Sequence, residues 1–337
     1  MRHLAFPLFA VLTVAFATEV RAQEGPRIID MHLHALPVDA QGPPPLAICA
    51  PVETYPTFDP GREDYGEAFI GFGKDPTCTN PVWTPESDEA LMEETIAALE
   101  RFDMIGVTSG PLVDAYEAAA PDRILPAFLL DIGTMDVTPD SLRRALESGK
   151  YVALAEVINQ YSGIAPDDPR FDPYLAVAEE LDIPVGIHIG TGPPGAPYLG
   201  FEKYRARLHS PLTLEEALAK HPDLRVWVMH AGWPMLDDML AVLYAHPQVH
   251  VGVGVIAFTL PRAEFHRYLR RIVEAGFGNR VMFGSDQMVW PGAIEFAIEA
   301  IESADFLTEE QKRAILHDNA ARFLRLEEEE PFAEQES

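Results

Sequence analysis

The sequence has 337 residues, with 53 acidic and 25 basic side chains, a formal net charge of −28 and two cysteines. This excess of acid argues strongly against nucleic-acid binding, because there is no Lys- or Arg-rich patch to neutralise phosphates. The charge favours solubility and says little about the fold. A β/α barrel typically has about 250 residues, so the length suits one barrel domain with added segments.

Residues 1–22 are predicted not to belong to the fold. Met1–His3 form a short basic start, Leu4–Ala17 is apolar, and Val20–Ala22 resembles a cleavage site. The apolar run is shorter than the roughly 20 residues that span a bilayer, and the pattern is typical of a secretory signal peptide. A core helix or a membrane anchor is the alternative. We therefore predict an exported protein, periplasmic or secreted, whose residues 23–337 form one domain with no membrane span.

From residue 86 onward, short β-branched runs alternate with amphipathic stretches. The predicted strands are Arg27–His32, Met104–Thr108, Ile124–Leu130, Tyr151–Val157, Pro184–Ile189, Arg225–His230, Val249–Val255 and Arg280–Ser285. The predicted helices are Ser87–Phe102, Ser141–Ser148, Tyr174–Leu181, Leu212–Lys220, Met235–Ala245, Ala263–Ala275, Ala293–Ser303 and a last one from Thr308. This alternation indicates βαβ units and a parallel sheet, and eight units predict closure into a (β/α)8 TIM barrel.

Two segments interrupt this alternation. Residues 37–86 follow the first strand, are rich in Pro and Gly and show no helical period, and residues 190–211 follow the fifth strand. Long loops are usually functional, and loops after barrel strands lie on the catalytic face. We interpret both segments as insertions that wall a substrate site. Cys49 and Cys78 fall in the first segment, and in an exported chain a disulfide bond is favoured over two free thiols.

The motif Asp30-Met31-His32-Leu33-His34 is the first with clear chemical potential. Residues two apart on a strand point the same way, so both imidazoles can face one metal ion at the end of a strand. Asp30 points to the same face lower in the barrel, as a partner of the ligands or as a core residue. A lone His-x-His also arises by chance, so the motif needs support from other strands.

Ionisable residues also follow four later strands that are otherwise apolar. The spacings from Glu156 to His188, from there to His230 and from there to Asp286 are 32, 42 and 56 residues. They correspond to one unit, one unit plus the loop, and two units of a barrel with about 31 residues per unit. Unrelated core histidines would not be expected to recur at the spacing of the barrel units. The predicted ligands of a divalent metal are His32, His34, Glu156, His188, His230 and Asp286.

In this order and phase the motifs resemble the amidohydrolase superfamily, and within it the amidohydrolase-related branch, amidohydrolase family 2. The resemblance covers nearly the whole mature chain. The segments that carry it are Asp30–His34, Met229–Trp233, Phe283–Asp286 and Ile315–Ala321. The resemblance implies that His32, His34 and Asp286 bind one metal. It also implies that His188 and His230 bind a second metal, or serve a single metal and the substrate.

The position that ends the fourth strand departs from the commonest binuclear form of that superfamily, in which a carboxylated lysine bridges two metals. Glu156 occupies the position here, and Lys150 lies at the beginning of the strand. Glu156 can provide the bridge with its own carboxylate, as in some members. A buried structural acid beside a single ion is the alternative, so one ion or two depends on this residue.

The resemblance and the ligand chemistry together predict a metal-dependent hydrolase that acts on a small molecule. Zinc suits nitrogen and oxygen ligands and lowers the pKa of bound water to about 7, so activated water would attack an amide, lactone or ester. Asp286 is the expected proton carrier, and His230 is the second predicted catalytic residue. A metal-dependent decarboxylase of the same branch and a non-catalytic periplasmic metal- or ligand-binding protein are the alternatives.

Five residues in loops that follow strands are predicted to contact the substrate: Tyr161, Arg205, Arg207, Trp233 and Trp290. For the two tryptophans core packing is an equal interpretation, and for the two arginines a surface salt bridge is the more frequent outcome. His209 and His317 are expected to lie outside the metal shell.

Overall fold

Eight parallel strands form a nearly closed barrel in the computed structural model, which describes residues 28–55, 57–190 and 192–326. The predicted signal peptide lies outside these residues. The barrel strands are β1 (Ile28–His34), β2 (Met104–Ser109), β3 (Ile124–Leu130), β4 (Ala153–Val157), β5 (Val185–His188), β6 (Val226–Met229), β7 (Val249–Gly252) and β8 (Val281–Met282). Each strand pairs with the next in chain order, which confirms the predicted TIM barrel.

Helices follow or connect the strands. They are α1 (Tyr65–Lys74), α2 (Asp88–Arg101), α3 (Val113–Ala119), α4 (Pro139–Glu147), α5 (Asp172–Glu180), α6 (Glu215–Lys220), α7 (Leu236–Ala245), α8 (Ile256–Thr259), α9 (Arg262–Ile272), α10 (Ala293–Glu302), α11 (Glu309–Arg313) and α12 (Asn319–Leu324). Short 3-10 turns at Asn159–Ser162 and Ala206–His209 lie in the loops after β4 and β5. In the described part of the chain no helix is long and apolar enough to cross a membrane.

Two groups of buried side chains hold the barrel together. The larger group packs between the strands and the helices, where the apolar faces of both lose contact with water. The smaller group takes every second residue of several strands, such as Trp227 and Met229, and includes Phe323 of α12. Arg225, immediately before β6, donates to the Phe323 carbonyl. Helix α12 therefore lies at the amino ends of the strands and leaves their carboxyl ends to the loops.

Residues 37–86 contain regular structure, so the expectation that they show no helical period is wrong. Strands Ala47–Cys49 and Pro81–Trp83 form an antiparallel pair, and α1 lies between them in the sequence. The helix has three glycines, which weaken its helical signal. Asp64 stabilises its start by accepting a hydrogen bond from the Glu67 backbone N–H. Capping and tertiary packing override propensity here.

Three contacts fix this segment to itself and to the barrel. The structure joins Cys49 to Cys78 by a disulfide bond. The Lys74 ammonium donates to two carbonyls of the Pro43–Pro45 run. The Trp290 indole, after β8, donates to the Leu46 carbonyl at 2.9 Å. The loops after β1 and β8 are therefore connected at the carboxyl end of the barrel.

Candidate metal centre

The six predicted ligands converge at the carboxyl ends of the strands. None of the six residues is more than 6 % exposed, so the group is enclosed by protein. Three overlapping donor groups have ligand atoms within 4.8 Å of one another, namely His32–His230–Asp286, His32–His34–Glu156 and Glu156–His188–His230. Sequence positions 32 to 286 are thus brought into one cluster that offers four imidazoles and two carboxylates.

The first ligand set consists of His32 and His34 on β1 and Asp286 after β8. The Nε2 atoms of the two histidines lie 3.1 Å apart. The Asp286 Oδ1 atom lies 3.1 Å from Nε2 of His34 and 3.7 Å from Nε2 of His32. All three donor atoms therefore face one common point.

The second ligand set consists of His188 at the end of β5 and His230 after β6. Nδ1 of His188 lies 3.0 Å from Nε2 of His230. The other nitrogen of His230, Nδ1, lies 3.0 Å from the Gly254 carbonyl. Because a carbonyl only accepts, Nδ1 of His230 carries the proton and Nε2 is left with a lone pair for a ligand.

Glu156 lies between the two sets and divides its oxygens between them. Oε2 lies 3.5 Å from Nε2 of His32 and 3.6 Å from Nε2 of His34. Oε1 lies 2.6 Å from Nδ1 of His188 and 3.5 Å from Nε2 of His230. A single carboxylate thus contributes one oxygen to each set.

These separations fit a divalent metal. Four ligands bound to zinc at about 2.0–2.1 Å in a tetrahedron stand roughly 3.3 Å apart. In the first set with Oε2 of Glu156, the contacting donor atoms are 3.1–3.7 Å apart. Imidazole nitrogens and carboxylate oxygens are also the ligand types that zinc and similar ions take. The donor chemistry and the spacing both suit an ion at this point.

Electrostatics keep both carboxylates ionised despite burial. Burial alone raises the pKa of Glu156, but the positive charges of His32 and His188, with hydrogen bonds from His188 and His230, lower it well below its usual value. Asp286 follows the same pattern: burial raises its pKa, and the neighbouring histidines lower it further than burial raises it. Negative charge is therefore retained at the centre, as cation binding requires.

The histidines respond unequally to those charges. Burial lowers the pKa of His34, but hydrogen bonding and the charge of Asp286 raise it above its usual value. The pKa of His230 is also raised, because contacts with Glu156 and Asp286 outweigh burial. The pKa of His188 is lowered, since burial and the nearby His230 outweigh Glu156. Without a metal, Glu156 and Asp286 thus favour the protonated forms of His34 and His230, whereas burial favours the neutral form of His188.

Two ligands occupy a backbone conformation that side chains rarely adopt. The φ angles of His230 and Asp286 are +67° and +52°, and such conformations typically persist only where surrounding contacts hold them. Gly254 fits closely against the first set, because a Cβ atom there would lie 2.8 Å from Nδ1 of His32. The chain accepts backbone strain and a required glycine to bring these donors together.

Tyr161, one of the predicted substrate residues, lies beside the metal centre and contacts the predicted metal ligand His188. Its hydroxyl lies 3.2 Å from Nε2 of His188, the nitrogen that faces away from Glu156. Its ring packs against Phe201, Tyr204 and His209. The geometry thus gives Tyr161 a role in orienting His188, and its predicted substrate contact stays a prediction.

Of the other four predicted substrate residues, Arg205, Trp233 and Trp290 have hydrogen-bond partners in the protein. Arg205 is exposed and donates to the carbonyls of Glu202 and Tyr204, and Arg207 is also exposed. The indole of Trp233 donates to Glu264, while that of Trp290 is held by the Leu46 carbonyl described above. In the described residues no hydrogen bond or ion pair joins these four side chains to the six predicted ligands, and their substrate role stays a prediction.

Buried polar residues other than the six predicted ligands also lie beside the centre. The Gln287 amide bonds to both backbone groups of His34. Gln160 donates to the His188 carbonyl at 2.8 Å. His209 is fully buried, and burial with the nearby charged histidines lowers its pKa to about 2. The sequence pointed to the two glutamines only through their neighbours, because Gln287 follows Asp286 and Gln160 precedes Tyr161.

The segments that follow β1 and β5 touch each other near Tyr161. The Tyr65 hydroxyl, on α1, donates to the Pro194 carbonyl at 2.8 Å. A Cβ atom at Gly195 would lie 2.1 Å from the Tyr65 ring, and one at Gly192 would lie 2.4 Å from the Tyr161 hydroxyl. The backbone after β5 therefore fits between two tyrosines, which connects both segments to the second ligand set.

Comparison with known proteins gives a family and a fold. A family model described as Amidohydrolase matches residues 29–326 of the chain, and no curated protein sequence matches it. An uncharacterised TIM-barrel protein from Bordetella bronchiseptica is 21% identical, with a TM-score of 0.56 over 88% of this chain and 98% of that one.

Two further solved structures have the same fold. A probable 2-pyrone-4,6-dicarboxylic acid hydrolase from Acinetobacter baumannii, with citric acid bound, is 16% identical at a TM-score of 0.54, covering 89% of this chain and 99% of that one. A 5-carboxyvanillate decarboxylase from Novosphingobium aromaticivorans, complexed with manganese, is 16% identical at a TM-score of 0.52, covering 88% and 96%. At such identities the likeness shows the fold alone.

Proposed function

This chain belongs to the amidohydrolase family, and from that premise we propose that it is a metal-dependent hydrolase that holds two divalent ions, zinc by preference. The observation that carries the proposal is the division of the Glu156 oxygens between two ligand sets. A carboxylate that served a single ion would need only one group of histidines around it, whereas each oxygen of Glu156 faces its own pair. The mixed imidazole and carboxylate donors are those that zinc takes.

Bound ions would supply a water of lowered pKa and polarise the substrate carbonyl. The protein's part is to move the proton, and Asp286 is placed for it. Oδ1 of Asp286 contacts His34, while Oδ2 lies 3.6 Å from Nδ1 of His230. Its lowered pKa keeps Asp286 ionised and able to accept a proton.

Hydrolysis would proceed by addition of water to the carbonyl group and loss of the leaving group. The water oxygen forms a bond to the carbonyl carbon, and its proton moves to Asp286. The bond from that carbon to the leaving nitrogen or oxygen breaks, and Asp286 returns the proton to the leaving atom. His230 lies beside Asp286, and its Nδ1–H bond to the Gly254 carbonyl fixes the ring. Burial of all six ligands limits the bulk water that competes for this proton.

Decarboxylation is the second candidate, favoured by the decarboxylase among the structural neighbours. It would place a proton on the ring carbon of a carboxylated ring, break the carbon–carbon bond to the carboxylate and release carbon dioxide, with no water added. The two candidates differ in their products, so a substrate panel of amides, lactones, esters and carboxylated aromatic acids separates them. Turnover of only the last group, with release of carbon dioxide, would replace hydrolysis by decarboxylation.

The test of the two-ion centre is Glu156→Gln. A neutral amide bridges cations poorly, so we expect the metal content of the purified protein to fall from two equivalents toward one. Elemental analysis of folded protein provides the measurement. Glu179→Gln is the matched control, because Glu179 also pairs with a histidine, His221, at 2.9 Å but outside the centre. An unchanged count in Glu156→Gln would leave a single-ion centre with Glu156 as its neighbour.

A further inference from the structure

The seam between β8 and β1 is built differently from the rest of the barrel. In the described residues, ladder pairing runs from β1 through β8 in chain order and leaves these two strands unpaired with each other. Two main-chain bonds cross the seam, from Met31 N–H to the Phe283 carbonyl and from Asp286 N–H to the His32 carbonyl. The first ligand set spans this seam, because its histidines are on β1 and Asp286 follows β8.

Side chains supply hydrogen bonds that a neighbouring strand would otherwise provide. The Gln287 Oε1 atom accepts from the His34 N–H at 3.0 Å, and its Nε2 donates to the His34 carbonyl at 2.7 Å. A primary amide carries the same donor and acceptor as a peptide group. Asp30 adds a second bridge, since its Oδ1 accepts from the N–H groups of His32 and Ser285 at 2.9 Å each.

We propose that Gln287 is a positioning residue that sets the spacing of the first ligand set by clamping the His34 backbone across the β8–β1 seam. This inference rests on the proposed metal-binding function and deepens it. Gln287 follows Asp286 directly in the chain and is fully buried. Gln287 is thus joined to Asp286 through the chain and to His34 through its amide. The donor atoms of these two predicted ligands, Oδ1 of Asp286 and Nε2 of His34, lie 3.1 Å apart.

The clamp acts on one set and leaves the other to different contacts. His188 ends β5 and His230 directly follows β6, and these two strands pair with each other in a regular ladder. Loss of the Gln287 amide therefore removes two hydrogen bonds at His34 and none at those two histidines. Removing a partner of a ligating histidine typically lowers metal affinity about 10- to 100-fold.

The experiment measures metal affinity of folded protein, with Co²⁺ as the probe and a chelating dye as competitor. Gln287→Leu keeps the size of the side chain and removes both hydrogen bonds. We expect the affinity of one of the two ions to fall about 10- to 100-fold, with a change in its visible Co²⁺ absorption. Gln311→Leu is the matched control, because Gln311 also accepts from a backbone N–H but at the α11 cap.

A purely structural role would lower the free energy of unfolding in both variants and leave Co²⁺ affinity and spectrum unchanged, which would overturn the proposal. If Gln287→Leu does not fold, Gln287→Asn keeps an amide that is one methylene too short for both bonds and should weaken the ion likewise. Wild-type affinity in a folded Gln287→Asn would also overturn it. Failure of the wild-type protein itself to bind Co²⁺ would instead refute the proposed function.

Discussion

The two ligand sets are held by different means. His32 and His34 lie on β1, in which all seven residues are buried, and the β8–β1 seam fixes them through Asp30 and Gln287. His188 is oriented from outside the strands by Tyr161, which lies on a 3-10 turn among aromatic residues of the segment after β5. The first set is therefore fixed by buried side chains that bridge the seam, whereas the orientation of the His188 ring in the second set depends on a contact from a loop. We expect an ion in the second set to exchange faster.

The largest expected effect is a loss of turnover when Asp286 of the first set is replaced by a side chain of the same shape. Asp286→Asn retains an oxygen ligand of similar size but cannot accept the proton, so turnover should fall about 10²- to 10⁴-fold. Some metal should stay bound. Turnover and metal content are measured on the same sample, with Asp318→Asn, remote and paired with Arg313, as control. Full metal content with near-normal turnover would reduce Asp286 to a structural residue.

A smaller effect is expected in the second set. Tyr161→Phe removes the hydroxyl that contacts Nε2 of His188 and keeps the aromatic packing. We expect about a tenfold loss of metal affinity, at the low end for such partners because the hydroxyl is neutral. The ion lost should be the faster-exchanging one, measured by release to a chelator over time. Tyr174→Phe, whose hydroxyl donates to a carbonyl away from the centre, is the control. Equal release rates in both variants would contradict the comparison.

The pH dependence of metal binding tests both ligand sets, through His34 of the first and His230 of the second. In the apo protein the pKa values of His34 and His230 are raised, so these imidazoles hold protons above the usual range, and a metal must displace them. Affinity should therefore fall as pH drops, by up to about tenfold per pH unit for each proton released. His188, with its lowered pKa, releases none. Calorimetry in buffers of different ionisation enthalpy counts the protons, and an affinity independent of pH from 6 to 8 would refute the expectation.

The barrel and the convergence of the six residues could be predicted from the sequence because both follow from the regular spacing of the strands along the chain. Apolar strands recur at nearly even spacing, and an ionisable residue at the end of such a strand stands out against its surroundings. Glu156 and Asp286 were found in this way. The export prediction rests on residues 1–22, outside the described residues, and stays a prediction.

Other features depend on geometry that no local pattern carries. The role of Gln287 requires a strand 253 positions away in the chain. The contact of Tyr161 depends on which nitrogen of His188 turns toward Glu156, a choice made by side-chain packing. Helix α1 has too many glycines for its period to stand out, and is stabilised by its cap and by the contact of Tyr65 with the segment after β5.

The identity of residue 156 has a consequence for how the centre is assembled. A lysine becomes a bridging carboxylate only after its amine reacts with carbon dioxide, so such a centre depends on dissolved bicarbonate and matures slowly. Here the carboxylate of Glu156 is encoded and is already ionised in the fold, because its pKa is lowered well below the usual value. We therefore expect the protein to take up the same amount of metal in degassed, bicarbonate-free buffer as in buffer that contains bicarbonate.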